Sequence, residues 1–201
     1  MDDLPRQILH PAPIDPARLR QPGLGRRDVL KVGVGFTAAL GVAGLLGGCG
    51  EPARSPAKGL DFLRAGDVEL FSALAPAVVS DLAALDSAQR AARVGEVLRN
   101  LDATFAAMGQ ASQAEVRKLL DLLGVAPLRY VLTGVGAWRE ASLDELQAFL
   151  ARWRGSRFAT LNAGGNVLVK LIAASYYVLP VSWPASGYPG PLQRVYQAVN
   201  S

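Results

Sequence analysis

Apolar residues recur at spacings of three and four along most of the chain after residue 60, and this periodicity limits what the chain can fold into. The first run uses Leu70, Phe71, Leu74, Val78 and Leu82. Such spacing places side chains on one face of an α-helix, whereas a strand needs strict alternation of apolar and polar residues. That alternation is absent, so the sequence predicts an all-α domain, a single irregular helical bundle.

Capping and breaking residues divide the first half of this pattern into helices. Asp67 is expected to cap the first helix, and Pro76 predicts a kink or a restart within it. A second helix is predicted over 87–108. Ser112 and Glu115 have the spacing of a capping box, which predicts the start of a third helix.

The second half contains an apolar element of undetermined type at 128–132 and two further helices. Residues 142–145 (Ser-Leu-Asp-Glu) form a second capping box, and Ser156 is expected to cap the last helix. That helix contains Gly164-Gly165, which costs roughly 1 kcal/mol of helix propensity per glycine. Close packing against another helix or a partner would explain the pair, and so would a local break.

Residues 176–191 are dense in aromatic residues and too rich in proline and glycine for a helix. We predict a rigid loop that binds a protein, because aromatic side chains supply contact area at low entropic cost and prolines preorder the loop. The residues assigned to this partner surface are Trp138, Tyr176, Tyr177, Trp183, Tyr188, Pro189, Gly190 and Pro191. The alternative is that aromatic residues fill the core, and it is favoured for Trp138 and Trp153.

The first 48 residues lack this helical pattern and resemble an export signal. An arginine pair is followed by a glycine-rich, weakly apolar run at 32–46, an order typical of twin-arginine signals. These signals direct folded proteins across the bacterial inner membrane. The matching residues are Arg26, Arg27, Leu30 and Lys31, whereas Gly25 and Val29 depart from the usual Ser/Thr and Phe. The alternative, an uncleaved membrane helix, requires about 20 apolar residues, and this run is shorter.

The apolar run ends in Leu46-Gly47-Gly48-Cys49, which resembles a bacterial lipobox. In a lipobox, small residues admit the peptidase and the cysteine thiol accepts the lipid, so we predict a lipid anchor on Cys49. The alternative is a cysteine that follows an ordinary cleavage site. We therefore divide the chain into a signal segment at 1–48, a flexible tether at 49–60 and a helical domain at 61–201.

Composition argues against catalysis in the exported part. The chain has one histidine, His10, and one cysteine, so the part after Cys49 lacks histidine. That excludes His-based acid–base and nucleophilic chemistry there, along with most zinc sites and cysteine-bound clusters. Six of the 21 basic and four of the 17 acidic residues precede Cys49, so the remainder is nearly neutral and does not indicate nucleic-acid binding. We predict a non-enzyme with no cofactor of its own.

Four short motifs resemble the small (gamma) subunits of bacterial flavin-dependent alcohol and sugar dehydrogenases, the gluconate 2-dehydrogenase small-subunit family. They are Ala137-Trp138-Arg-Glu-Ala-Ser142, Phe149-Leu150-Ala-Arg-Trp153-Arg154-Gly-Ser156, Tyr176-Tyr177 and Gly187-Tyr188-Pro189-Gly190-Pro191. The resemblance spans about residues 60–191. A lipidated Cys49 is not a feature to assume for the whole family.

The resemblance implies a non-catalytic small subunit. It would escort an FAD-binding large subunit of the glucose–methanol–choline type through the twin-arginine translocase and stabilise it. Electrons would then pass to a cytochrome c subunit or another membrane acceptor. The complex would lie on the periplasmic side of the inner membrane, or the chain would be anchored to the outer membrane as a lipoprotein. The alternative is a free-standing helical envelope lipoprotein that binds a small ligand or acts as a scaffold.

Overall fold

A computed structural model describes residues 55–190, and every regular element in this range is a helix. The all-α prediction is therefore confirmed. The predicted signal and lipidation residues lie outside the described residues, as does one residue of the aromatic segment; these are Arg26, Arg27, Leu30, Lys31, Cys49 and Pro191.

In chain order the described helices are α1 (Ala65–Val78), α2 (Ser80–Ala84), α3 (Ser87–Ala106), α4 (Gln110–Gly124), α5 (Ala126–Thr133), α6 (Leu143–Arg154), α7 (Ala159–Tyr177), a 3-10 turn (Pro180–Ser182) and α8 (Trp183–Ser186). They pack around α7, which contacts α6, α3 and α1, while α5 packs on α4. The residues of the apolar pattern form one continuous core. Between residues 55 and 190, no helix is both long and apolar enough to cross a bilayer.

The first helix differs from the prediction at both ends. Its N-cap is Arg64, and Asp67 is the third helical residue, where its carboxylate accepts the Arg64 backbone N–H at 2.9 Å. The helix continues past Pro76 to Val78 and breaks at Val79, where α2 follows. Proline removes one backbone hydrogen bond from a helix interior, and the break comes three residues later.

The capping box predicted at Ser112 is wrong. Helix α4 begins at Gln110, so its N-cap is Gly109 and Ser112 lies inside the helix. A contact with the preceding helix replaces the box. The Gln113 side-chain amide donates to two carbonyls at the end of α3, at 3.0 and 3.1 Å. Gln113 thus joins the first part of α4 to the end of α3.

The second capping box is confirmed at the start of α6, where Ser142 and Glu145 bond reciprocally. The undetermined element at 128–132 is helix α5, and Gly134 ends it with a φ of 73°, a left-handed conformation that favours glycine. The N-cap of α7 is Phe158 and not Ser156. The Ser156 hydroxyl instead accepts the Phe158 N–H at 3.1 Å.

The glycine pair of α7 lies in an unbroken helix and packs against α6. A Cβ at Gly164 would lie 3.0 Å from the Trp153 ring, and one at Gly165 would lie 3.2 Å from the Arg154 backbone nitrogen. The Trp153 indole also donates to the Leu132 carbonyl at 2.9 Å, which joins α6 to α5. Of the explanations that the sequence left open, close packing against another helix is the one found.

The prediction that residues 176–191 are too rich in proline and glycine to be helical is wrong in part. Helix α7 continues through Tyr177, and the 3-10 turn and α8 follow. Pro180 and Pro184 stand in the first turns of these short helices, where a missing N–H costs no hydrogen bond. Gly187 then ends α8 with a φ of 69°.

The close approach of α6 and α7 predicts opposite effects for two glycine-to-alanine substitutions. Gly165→Ala should destabilise the fold by about 1–3 kcal/mol, because the new methyl group meets Trp153 and the Arg154 backbone. Gly95→Ala in the middle of α3 is the matched control, since its Cβ would meet only the Arg99 side chain at 3.8 Å. It should stabilise by about 0.5–1 kcal/mol. Urea unfolding measures both, and equal effects would contradict the packing.

Candidate functional site

The C-terminal cap, residues 177–190, exposes large apolar side chains on a tightly folded segment. Tyr177, Val178, Val181 and Tyr188 are between 48% and 61% exposed. The segment is held by the fully buried Ser182, whose hydroxyl donates to the Leu179 carbonyl at 2.8 Å. Exposed aromatic groups on a preordered backbone form a surface suited to binding another protein.

The end of the cap folds around the half-buried Trp183. The Tyr188 ring meets its indole edge-to-face, with centroids 5.4 Å apart. Gly190 closes over the same indole, since a Cβ there would lie 3.0 Å from the ring and its φ is 90°. Pro189, between them, is exposed. The cap is therefore a small packed unit with Tyr188 on its outer side.

Two residues assigned to the partner surface are buried. Trp138 is 4% exposed and packs on Phe149, with centroids 6.0 Å apart. Tyr176 is equally buried, and its hydroxyl donates to Asp81 at 3.2 Å. Burial and the Asp81 charge raise the pKa of Tyr176 above its usual value. The structure thus places Tyr177 and Tyr188 at the surface and these two residues in the core.

A groove of about 720 Å³ lies between α1, the α2–α3 junction and the start of α6. Its walls are mostly apolar, and Trp138, Leu143 and Leu146 line one side. Arg139 and Glu69 form an ion pair of 2.5 Å at the rim. The sequence did not indicate this groove, because its walls come from helices more than 50 residues apart.

Arg90 also lines the groove, but backbone carbonyls occupy its guanidinium. It donates to the carbonyls of Leu82, Ala83 and Leu85, at 2.7–2.9 Å, where α2 ends. This arginine caps a helix C-terminus, as cations commonly do. Because these three carbonyls bind the Arg90 guanidinium, the groove is better suited to an apolar ligand than to an anionic one.

A buried ionic cluster joins the start of α1 to α4. Arg64 binds Asp67 at 2.9 Å and Asp121 at 2.6 Å, and Arg117 binds Asp67 at 3.1 Å. Arg117 also stacks over the Phe62 ring, 3.7 Å from its centroid, and donates to the Phe62 carbonyl. Burial works to lower the pKa of Arg64, but its two aspartates raise it above the usual value. Burial and the Arg64 charge lower the pKa of Arg117.

Asp102 of α3 anchors the loop that precedes α1. Its carboxylate accepts the backbone N–H groups of residues 61, 62 and 63 at 2.8, 2.9 and 2.7 Å. Burial alone would raise the pKa of Asp102, yet these three bonds and the Arg117 charge hold it below its usual value. The charged groups of the cluster and of this anchor bind other groups of the same chain, which is typical of a structural site.

The described residues offer no metal centre, and similarity to known proteins gives no assignment. Between residues 55 and 190, no three His, Cys, Asp or Glu residues are placed to hold a metal ion. No known protein family matches the chain, and neither a curated protein nor a solved structure shows a match to it. The resemblance of the short motifs to dehydrogenase small subunits therefore stays an expectation.

The Asp102 anchor predicts a large cost for a neutral substitution. Asp102→Asn replaces one accepting oxygen with an amide group that cannot accept the N–H groups of residues 61–63. It should lower the free energy of unfolding by about 1.5–3 kcal/mol, the usual range for hydrogen bonds to a charged group. Asp144→Asn, at an exposed position in the first turn of α6, is the control and should cost about 0.5 kcal/mol or less. Chemical denaturation measures both.

The same variant should change the pH dependence of stability. The pKa of Asp102 in the folded state lies below the usual value of 3.8. The contribution of its carboxylate to the free energy of unfolding is therefore complete above pH 3.8. As pH falls, the unfolded chain takes up the proton first, and the contribution disappears through the folded pKa. Between neutral pH and this acid range, wild type should therefore lose more stability than Asp102→Asn. Parallel curves for the two proteins would show that the anchor is not ionised.

Proposed function

We propose that this chain is a non-catalytic small subunit of a periplasmic, membrane-associated flavin-dependent alcohol or sugar dehydrogenase. In this role it escorts the folded FAD-binding large subunit of the glucose–methanol–choline type through the twin-arginine pathway and stabilises it. The observation that carries the proposal is the C-terminal cap, which exposes Tyr177 and Tyr188 on a compact backbone.

The charged groups of the fold support the proposal. The most buried ones, Arg64, Asp67 and Asp102, are all bound to other groups of the chain, as structural residues are. An escort subunit needs an export signal, a folded domain and a surface that binds the exported partner. In this proposal the signal is the arginine pair at 26–27, the domain is the helical bundle and the binding surface is the cap.

The export step is tested with the large subunit present. Arg26→Lys with Arg27→Lys should nearly abolish the appearance of the flavoprotein in the periplasm, because the arginine pair is the address for both chains. Arg18→Lys with Arg20→Lys, a matched change a few residues upstream, should leave export intact. Flavin content and dehydrogenase activity of the periplasmic fraction are the measurements. Equal export from both double variants would rule out the escort role.

The cap is tested separately by affinity. Tyr177→Ser and Tyr188→Ser should each weaken binding of the large subunit about 30-fold, because an anchoring aromatic residue contributes roughly 2 kcal/mol. Tyr130→Ser, an exposed tyrosine on α5, is the control and should not change affinity. Titration of the purified subunits gives the dissociation constants. Full affinity in both cap variants would place the contact elsewhere on the chain.

The groove favours a second candidate, a free-standing envelope lipoprotein that binds an apolar small molecule. Its walls and volume of about 720 Å³ suit such a ligand. This candidate predicts that the chain purifies without a flavoprotein and carries a ligand. A bulky substitution in the groove, Ser72→Trp, should displace that ligand from the purified chain.

A further inference from the structure

Three helix ends meet at the side of the fold where α7 begins. The indole of Trp153, near the end of α6, donates to the Leu132 carbonyl near the end of α5. The Arg152 guanidinium donates to the Thr133 carbonyl of the same helix. The chain then turns directly into α7. We call this region the arginine–aromatic end, and its exposed residues are Tyr130, Val131, Arg152, Arg154, Arg157 and Phe158.

The arginines of this end have no acidic partner among residues 55–190. From residue 146 to residue 201 the sequence contains no aspartate or glutamate. Arg152, Arg154 and Arg157 form no ion pair with any residue between 55 and 190. Arg152 contacts a backbone carbonyl, and Arg154 contacts the Asn166 side-chain oxygen at 3.3 Å. Three full positive charges, within six residues of the sequence, therefore face solvent where α6 passes into α7.

Large apolar groups accompany these charges. Tyr130, Val131 and Phe158 are between 59% and 79% exposed, more than most of the large apolar residues in the described part of the chain. Arg157 lies over the Phe158 ring, 5.1 Å from its centroid. Arginines interleaved with aromatic and aliphatic groups suit the boundary of a lipid bilayer, where headgroups meet acyl chains.

We infer that the arginine–aromatic end docks on a membrane surface rich in anionic phospholipid. The arginines would contact the lipid phosphates, and Phe158 and Tyr130 would enter the boundary between headgroups and acyl chains. Each basic residue close to an anionic surface strengthens binding about fivefold. The lipid anchor predicted at Cys49 favours lipid over the other kind of partner, an acidic protein surface.

The length of the predicted tether agrees with this orientation, a point that rests on the proposed lipid anchor. Five residues lie between Cys49 and Ser55, so the start of the described chain is six residue steps, at most about 21 Å, from the lipid-bearing residue. One turn of α4 joins that start to α7. Its Arg117 stacks on Phe62, and its Leu119 lies 3.7 Å from the Cβ position of Gly164. These contacts link the N-terminal part of the described chain to the first half of α7.

A fluorescent label at the docking end tests the inference. The full chain with Cys49→Ser and Ala159→Cys has one thiol, next to Phe158, for an environment-sensitive fluorophore. The labelled protein is mixed with vesicles of phosphatidylcholine, with or without phosphatidylglycerol. Emission should rise and shift to the blue with phosphatidylglycerol, and added salt should reverse the change. A label at Ala91→Cys, on α3, should not respond.

Paired charge variants identify the residues responsible. Arg154→Gln with Arg157→Gln should lower the ratio of docked to undocked label about 25-fold. The control is Arg93→Gln with Arg99→Gln, an equal loss of charge on α3. Arg93 acts on Tyr176, at the opposite end of α7, so this control should keep the wild-type ratio. Phe158→Ser should lower the ratio without changing its salt dependence.

The result that would overturn the inference is a label at residue 159 that ignores phosphatidylglycerol or responds equally to both vesicles. A label that ignores vesicles and responds to purified large subunit would instead identify a protein-binding surface, and the lipid inference would be wrong. None of these outcomes depends on export of the flavoprotein. The escort role and the docking end can thus fail independently.

Discussion

The packing of Trp153 against the glycines of α7 is the contact on which the rest of the fold depends. With a larger residue at Gly164, the indole would have to move, and α6 could not lie so close to α7. The same ring meets Phe149 edge-to-face at 5.0 Å and donates to the Leu132 carbonyl of α5. One side chain therefore positions α6, α7 and α5 together. A tightly packed junction of this kind tolerates little change in volume.

This junction gives α7 two ends of different character. At its start the helix ends bring Arg152, Arg154 and Arg157 to the surface, and at its finish the cap exposes Tyr177 and Tyr188. The 19 residues of α7 separate these surfaces by about 28 Å. One surface suits anionic lipid and the other suits a protein. A subunit that holds a folded enzyme at a membrane would use such an arrangement.

Local sequence patterns predicted a helix start correctly where all of its hydrogen-bond partners lie within a few consecutive residues. The capping box at 142–145 needs only four consecutive residues, and it forms as predicted. The box at Ser112 failed because α4 already begins at Gln110, and the neighbouring Gln113 side chain bonds to the end of α3. The proline-rich segment was predicted to be non-helical, but its prolines fall in first turns, where helices accept them. Both wrong predictions concern where helices begin and end, which the local sequence pattern alone did not determine.

The sequence by itself determined the helical class of the domain, because a spacing of three and four residues is a property of neighbouring positions. It also supplied the motifs at Arg26-Arg27 and Cys49 on which the export proposal depends. Only the tertiary structure decided which residues of the aromatic segment at 176–190 are buried. It put Tyr176 in the core and Tyr177 at the surface, although they are adjacent. Burial depends on which helices meet, and helices distant in sequence make those contacts.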